Sequence, residues 1–223
     1  MMAAHTDIFR HPLACLGGVP LPREALDEVL EGYRRPNDKI SEWLKEGALL
    51  PLRRGLYLTG SGLRSGPACL PLVANHLYGP SYLSLDFALA WHGLIPEGVA
   101  EITSVTPKAS RSFDNNLGRF SYQHLPLAYY RIGQSMGQSA EGLGYLIATP
   151  TKALCDRLVL SRHLQRLSRA AMRDWLMDDL RLDADLLGSL SLAEMEQTIQ
   201  AGFKRRELGT LKAVIEALQE EIN

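Results

Sequence analysis

Residues 82–125, reading YLSLDFALAWHGLIPEGVAEITSVTPKASRSFDNNLGRFSYQHL, constrain the fold more than any other part of the chain. Ser84 suits a helix N-cap, Leu85, Phe87, Ala88, Leu89 and Trp91 supply the apolar positions that follow, and Gly93 suits the end. Pro96 and Gly98 turn the chain. Ile102 to Thr106 then alternates and is rich in β-branched residues, the pattern of a half-buried strand. Asn115 to Gly118 predicts a turn, and Arg119 to Leu125 alternates again. A helical period and a strand period in so short a span predict a packed α+β domain with a small antiparallel sheet.

The segment before it reads differently. Thr6 to Gly18 is weakly helical and interrupted by Pro12, while residues 21–30 make a better helix, with Leu26, Val29 and Leu30 on one face. A third helix starts at Pro36 or Asn37 and stops at Gly47. Its buried side is Ile40, Trp43 and Leu44, so Asp38, Ser41, Glu42 and Lys45 point the other way. Two short strands follow, Ala48 to Leu52 and Gly55 to Thr59, joined at Arg53 and Arg54. Helices followed by a hairpin with a basic tip is the order of a winged helix-turn-helix. The third helix would be the recognition helix and the hairpin the wing. Seven basic and three acidic residues lie between Arg34 and Arg64, a local excess of four in a chain whose net charge is −1. Any nucleic-acid surface is therefore a local patch. Arg34, Arg35, Lys39, Lys45, Arg53 and Arg54 are the candidates for phosphate contact, and Asn37 and Ser41 for base contact. Asp38 and Glu42 oppose close docking. Residues 59–67, rich in Gly and Ser, read as a flexible connector, which divides the chain into residues 1–62 and residues 66–223.

Within residues 82–125 the order is Tyr-x-Ser-Leu-x-x-Ala-Leu-x-x-His-Gly-Leu-Ile-Pro-Glu, then Ile-Thr-Ser-Val-Thr, a basic loop, and Gly-Arg-Phe-Ser-Tyr-x-His. Ala148 to Asp156 follows as Ala-Thr-Pro-x-Lys-Ala-Leu-x-Asp. These pieces, in this order, resemble the AbiEi family, antitoxins of abortive-infection type IV toxin–antitoxin systems. The resemblance spans roughly residues 21–160. It implies a winged helix-turn-helix DNA-binding domain followed by an antitoxin domain. It also implies a phage-defence role, autorepression through double-stranded operator DNA, and a nucleotidyltransferase-type toxin as the functional partner.

Beyond the central stretch, Tyr129 to Ile132 predicts a strand, and residues 134–144 an exposed loop. Tyr145 to Ala148 predicts a further strand. Thr149 caps a helix that begins at Pro150 and runs to about Leu160. From Leu164 to Leu180 an apolar stripe predicts a helix, and Arg162, Arg166, Arg169 and Arg173 recur so as to line one face of it. That basic stripe is either a solvated face or a second anionic contact. Ser191 and Glu194 form a capping box. Leu208, Leu211, Ile215, Leu218 and Ile222 make an amphipathic seam, expected to pack on its own domain, with a homodimer on DNA as the alternative.

Asp86, His92, Glu101, Asp114, His124 and Asp156 are the groups that catalysis could use. Thr103 stands where a nuclease-like Glu-x-Lys would place lysine, and no hydrolase or metalloprotease motif is present. The expectation is a non-enzymatic binder without cofactor or metal, the alternatives being a metal-dependent phage-defence nuclease, a protein-interaction module, or a solitary regulator. Cys15, Cys69 and Cys155 are odd in number and lack ligand spacing, which fits reduced thiols in a cytoplasm. No run of 18 apolar residues occurs, so no membrane partner is expected.

Overall fold

The computed structural model describes residues 11–222. Of the first expected helix, residues 6–10 lie outside the described residues, and the remainder forms only a short 3-10 turn, Ala14–Leu16, after Pro12. Leu21–Pro22 (β1) is a strand rather than the start of a helix, and α1 spans Arg23–Val29. Helix α2, Pro36–Lys45, follows the expected pattern: Pro36 occupies its first turn, Ile40 and Trp43 are buried, and Gly47 takes a φ of +72° just past its end. Strands β2 (Leu49–Arg53) and β3 (Leu56–Thr59) pair antiparallel, and β1 pairs with β3, giving a three-stranded sheet of order β1-β3-β2. Gly55 turns the hairpin with a φ of +74°.

The expected flexible connector begins as fixed backbone. Thr59 and Gly60 are buried, and Gly60 N–H donates to the Ala48 carbonyl at 2.8 Å. A side chain on Gly60 would collide with the Gly47 carbonyl, so the glycine serves close backbone approach rather than mobility. Ser61–Leu63 then forms a 3-10 turn.

A second sheet follows, built from β4 (Tyr82–Leu83), β5 (Ile102–Thr106), β6 (Arg111–Asn115), β7 (Gly118–His124), β8 (Gln134–Gln138) and β9 (Gly144–Ala148), in the order β6-β7-β5-β4-β9-β8. The architecture is α+β, but the sheet is six-stranded and mixed rather than small and antiparallel. Strand β7 inserts between β5 and β6, which makes it parallel to β5, and β9 returns beside β4 in parallel. Two local expectations also fail. Tyr129 and Tyr130 are both buried, which a one-turn helix, α5 (Leu127–Tyr130), achieves and an alternating strand would not. Residues 134–138 are an edge strand, polar because its outer side meets water. Gly137 sits opposite Tyr145 in register, and the tyrosine ring fills the space that a side chain would take.

Helix α3 (Leu70–Leu77) packs against β4, β5 and β9, and α4 (Leu85–Trp91) against β5 and α6 (Pro150–Leu160). Thr149 caps α6 as expected, its hydroxyl accepting from Lys152 N–H at 3.1 Å. Strand alternation sends Tyr122 toward α3, where its hydroxyl donates to the Ala74 carbonyl at 2.6 Å, and Ser121 and Gln123 to the other face. Helices α7 (Arg169–Asp174), α8 (Leu192–Gln200) and α9 (Arg205–Ile222) complete the layer over α6. Ser191 caps α8 by accepting from Glu194 N–H at 3.2 Å. Leu208, Leu211, Ile215 and Leu218 of the α9 seam are buried in the same core, so the seam is used within the chain. Among the described residues no helix is long and apolar enough to cross a membrane.

The two sheets share material. Leu49 joins a cluster with Leu13, Leu21, Leu26, Leu30, Ile40 and Trp43, whereas Leu52, Leu56 and Leu58 of the same hairpin belong to the large core under the second sheet. Asn115 Nδ2 donates to the Leu52 carbonyl at 3.2 Å, tying β6 to β2.

Candidate nucleic-acid interface

The periodicity of α2 decides what it offers to solvent. Asn37, Asp38, Ser41, Glu42 and Lys45 are exposed, as the rotation of 100° per residue requires. The charges on this face are partly matched. Lys39 Nζ lies 2.7 Å from Glu42 Oε1, and this hydrogen bond raises the lysine's pKa. Arg35 and Asp38 are 3.6 Å apart. Asn37 Oδ1 accepts from Arg23 Nη2 at 3.0 Å, and the Ser41 hydroxyl donates to the Asn37 carbonyl at 2.9 Å. The Asn37 amide nitrogen and the Ser41 lone pairs remain available to a base edge. Arg34, Lys45 and Arg54 are exposed and form no ion pair among the described residues.

The hairpin tip does not simply project. Arg53 Nε donates to the Leu77 carbonyl at the end of α3 at 2.9 Å, and its Nη1 to the Arg54 carbonyl at 3.3 Å. Arg53 therefore fastens the tip to α3, which packs on the second sheet, and Arg54 is the freer of the two. Between them and β6 lies a cavity of about 330 Å³ lined by Arg53, Arg54, Leu77, Tyr78, Gly79, Lys108, Arg111 and Phe113. Four cations line it and no carboxylate does. Lys108 Nζ donates to the Gly79 carbonyl at 2.6 Å, and the Arg111 guanidinium stands 5.0 Å from the Phe113 ring and 5.8 Å from that of Tyr78. Lys108 and Arg111 were absent from the sequence-derived candidates. The only signal was a basic loop between two strands, and pairing of β6 with β7 is what brings it beside the hairpin.

The arginine stripe is not one helix face. Arg162 lies in a 3-10 turn, Arg166 in a loop with a φ of +60°, and only Arg169 and Arg173 lie on α7. The serines explain the break. The Ser161 hydroxyl turns back to the Arg157 carbonyl at 2.7 Å, and Ser168 starts a new helix by accepting from Ala171 N–H at 3.2 Å. Arg173 is engaged by Glu221 through two bonds of 2.7 and 2.8 Å.

Of the four candidate carboxylates, Asp86 and Glu101 share a groove, whereas Asp114 and Asp156 do not line it. Asp86, Glu101, Thr103, Ser121, Gln123, Arg157, Arg162 and His163 line a cavity of about 350 Å³. Each acid faces a cation: Asp86 Oδ1 lies 2.5 Å from Arg157 Nε, and Glu101 Oε1 lies 3.5 Å from Arg119 Nε. No cluster of three or more His, Cys, Asp or Glu side chains with metal-ligand geometry occurs among the described residues. Thr103 has a structural task. Its Oγ1 donates to the Ser84 carbonyl at 2.7 Å and accepts from Phe87 N–H at 3.2 Å, so it caps α4 from the neighbouring strand. Ser84, the expected cap, instead sends its hydroxyl to Asp156 Oδ2 at 2.7 Å. Tyr82 adds a second hydroxyl bond to the same oxygen at 3.1 Å. His92 Nε2 contacts the Ala148 carbonyl at 2.8 Å, and His124 Nδ1 the Lys108 carbonyl at 3.0 Å, the latter on the exposed side of the sheet rather than in the core. Compared with protein-family models and with curated proteins, the chain matches none.

Proposed function

We propose that the protein is a DNA-binding autorepressor and the antitoxin of an abortive-infection, type IV toxin–antitoxin system, acting in the cytoplasm against a nucleotidyltransferase-type toxin. The observation that carries the DNA half is the exposed face of α2, where Asn37, Ser41 and Lys45 stand together, flanked by exposed Arg34 and Arg35. In this reading residues 11–62 form a winged helix-turn-helix. Helix α2 enters the major groove and β2–β3 is the wing. Asn37 and Ser41 read base edges, and Arg34, Arg35, Lys45 and Arg54 neutralise phosphates. Glu42 and Asp38 moderate the affinity, leaving it dependent on the match between base and side chain. The antitoxin half rests on the resemblance of residues 82–125 and 148–156 to the AbiEi pattern. Type IV classification implies that the toxin is opposed at a shared target. The chain is then a binder and does no chemistry of its own.

The test has two arms. A gel-shift against the chain's own upstream DNA, at two salt concentrations, is expected to give specific binding that weakens with salt and with Lys45→Ala/Arg54→Ala. Binding no tighter than to random DNA would remove the repressor role. Co-expression with the neighbouring open reading frame is expected to rescue growth from a nucleotidyltransferase toxin, and failure to rescue would remove the antitoxin role.

A further inference from the structure

The α2 face and the hairpin belong with the first sheet, yet four cations gather where the hairpin meets the second. Arg53 and Arg54 come from the hairpin, and Lys108 and Arg111 from the approach to β6 and its first residue. No acidic side chain lines the cavity between them. Four cations placed together repel one another, and no carboxylate within the cavity offsets that repulsion. Two are held in place by backbone carbonyls, Arg53 by Leu77 and Lys108 by Gly79, so their positions are set before any ligand arrives.

We infer that this cleft is a phosphate site, and that its occupant is a backbone phosphodiester of the duplex that α2 engages. The DNA track then runs from the first sheet across the hairpin tip onto the second. Donor capacity fits an anion with several acceptor oxygens. Arg53 commits two of its five side-chain N–H groups, Lys108 commits one of three, and the Arg111 guanidinium makes no hydrogen bond among the described residues. The aromatic rings argue against a nucleotide base. Tyr78 and Phe113 already pack with the Arg111 guanidinium, with each other at 5.9 Å and edge-on with Tyr122, so a base would have to displace these contacts to stack. The cleft reads charge and not sequence. This rests on the DNA-binding reading above and extends the interface to a part of the chain otherwise assigned to the antitoxin role.

The experiment is a fluorescence-anisotropy titration of a duplex from the upstream region over a range of salt. It compares the wild type, Lys108→Gln/Arg111→Gln, Lys108→Arg/Arg111→Lys, and Lys39→Gln/Lys45→Gln, each checked for unchanged circular dichroism. Removing the cleft cations is expected to lower affinity about tenfold at low salt and to reduce the salt slope by about 1–2, equally for specific and random duplexes. The charge-preserving pair is expected to retain the slope. An unchanged slope and affinity in Lys108→Gln/Arg111→Gln, with loss in Lys39→Gln/Lys45→Gln, would overturn the inference and leave the DNA reading standing. A wild type that binds no duplex would sink that reading first and the inference with it. Tight binding of a nucleoside triphosphate with no effect on the duplex slope would show that the cleft takes a free phosphate ligand, which also overturns it.

Discussion

Lys152 Nζ reaches Asp156 Oδ1 at 2.7 Å, one turn along α6, and neither side chain has any exposed surface. The ammonium also lies 3.3 Å from the centre of the Tyr129 ring, while the other carboxylate oxygen takes the Tyr82 and Ser84 hydroxyls. A buried pair of this kind is expensive to desolvate, and each charge has a partner besides the other: the Tyr129 ring for the ammonium and two hydroxyls for the carboxylate. Lys152→Met strands a buried carboxylate and is expected to destabilise the fold by about 3–5 kcal/mol. Lys152→Met/Asp156→Leu removes both charges and is expected to be no worse than the single change. Urea unfolding of the two variants checks this, and a double variant much weaker than Lys152→Met would contradict it.

The hairpin arginines Arg53 and Arg54 are expected to separate by experiment. Arg53→Ala loses the bond to the Leu77 carbonyl and is expected to lower stability by about 1 kcal/mol as well as DNA affinity. Arg54→Ala is expected to lower affinity alone. Thermal melts run beside the binding titration distinguish the two, and equal melting temperatures would argue against the fastening role.

Thr103→Val keeps the shape of the side chain and removes the cap of α4. The expected loss is about 1–2 kcal/mol, with the effect concentrated at the start of that helix in hydrogen exchange. Thr103→Lys recreates a nuclease-like spacing after Glu101. It is expected to yield no cleavage of duplex DNA with added Mg²⁺, because Arg157 and Arg119 already face Asp86 and Glu101. Metal-dependent cleavage by that variant would revive the nuclease alternative.

Stability is expected to fall as pH rises above about 9. Burial, before any other cause, raises the phenols of Tyr82, Tyr122 and Tyr129 and pushes the Cys155 thiol up to about 12. In the unfolded chain these groups ionise at their ordinary values, so over this range the folded state binds more protons. The contribution is whole below the unfolded values and is lost as pH climbs toward the folded ones. Urea midpoints at successive pH values measure the decline, with tyrosinate absorbance appearing on unfolding. A flat profile would show that these groups are not sequestered.

Local signals were legible and long-range ones were not. Thr149 with Pro150, and Ser191 with Glu194, announce their helices because cap and helix are adjacent in sequence. Ser84 has the same local form, yet its hydroxyl is claimed by Asp156, 72 residues away, and the cap comes from Thr103 on another strand. The exposed face of α2 followed from periodicity alone. The basic cleft did not, because Arg53 and Lys108 meet only after two sheets have formed and docked. Edge strand β8 was hidden for a related reason: a polar strand lacks the alternation that burial imposes, and only its register with β9 reveals it.

A hinge between two halves of a protein needs a segment that belongs to neither, whereas hairpin β2–β3 belongs to both. One end of β2 is rooted under α2 through Leu49, and Leu52, Leu56 and Leu58 are rooted under the second sheet. A fragment ending at residue 62 would carry those three leucines into water, and the remainder would be left with a leucine-shaped void. A cut there would expose apolar surface on both sides. A displacement of α2 would reach the second sheet through a stiff lever rather than a slack tether.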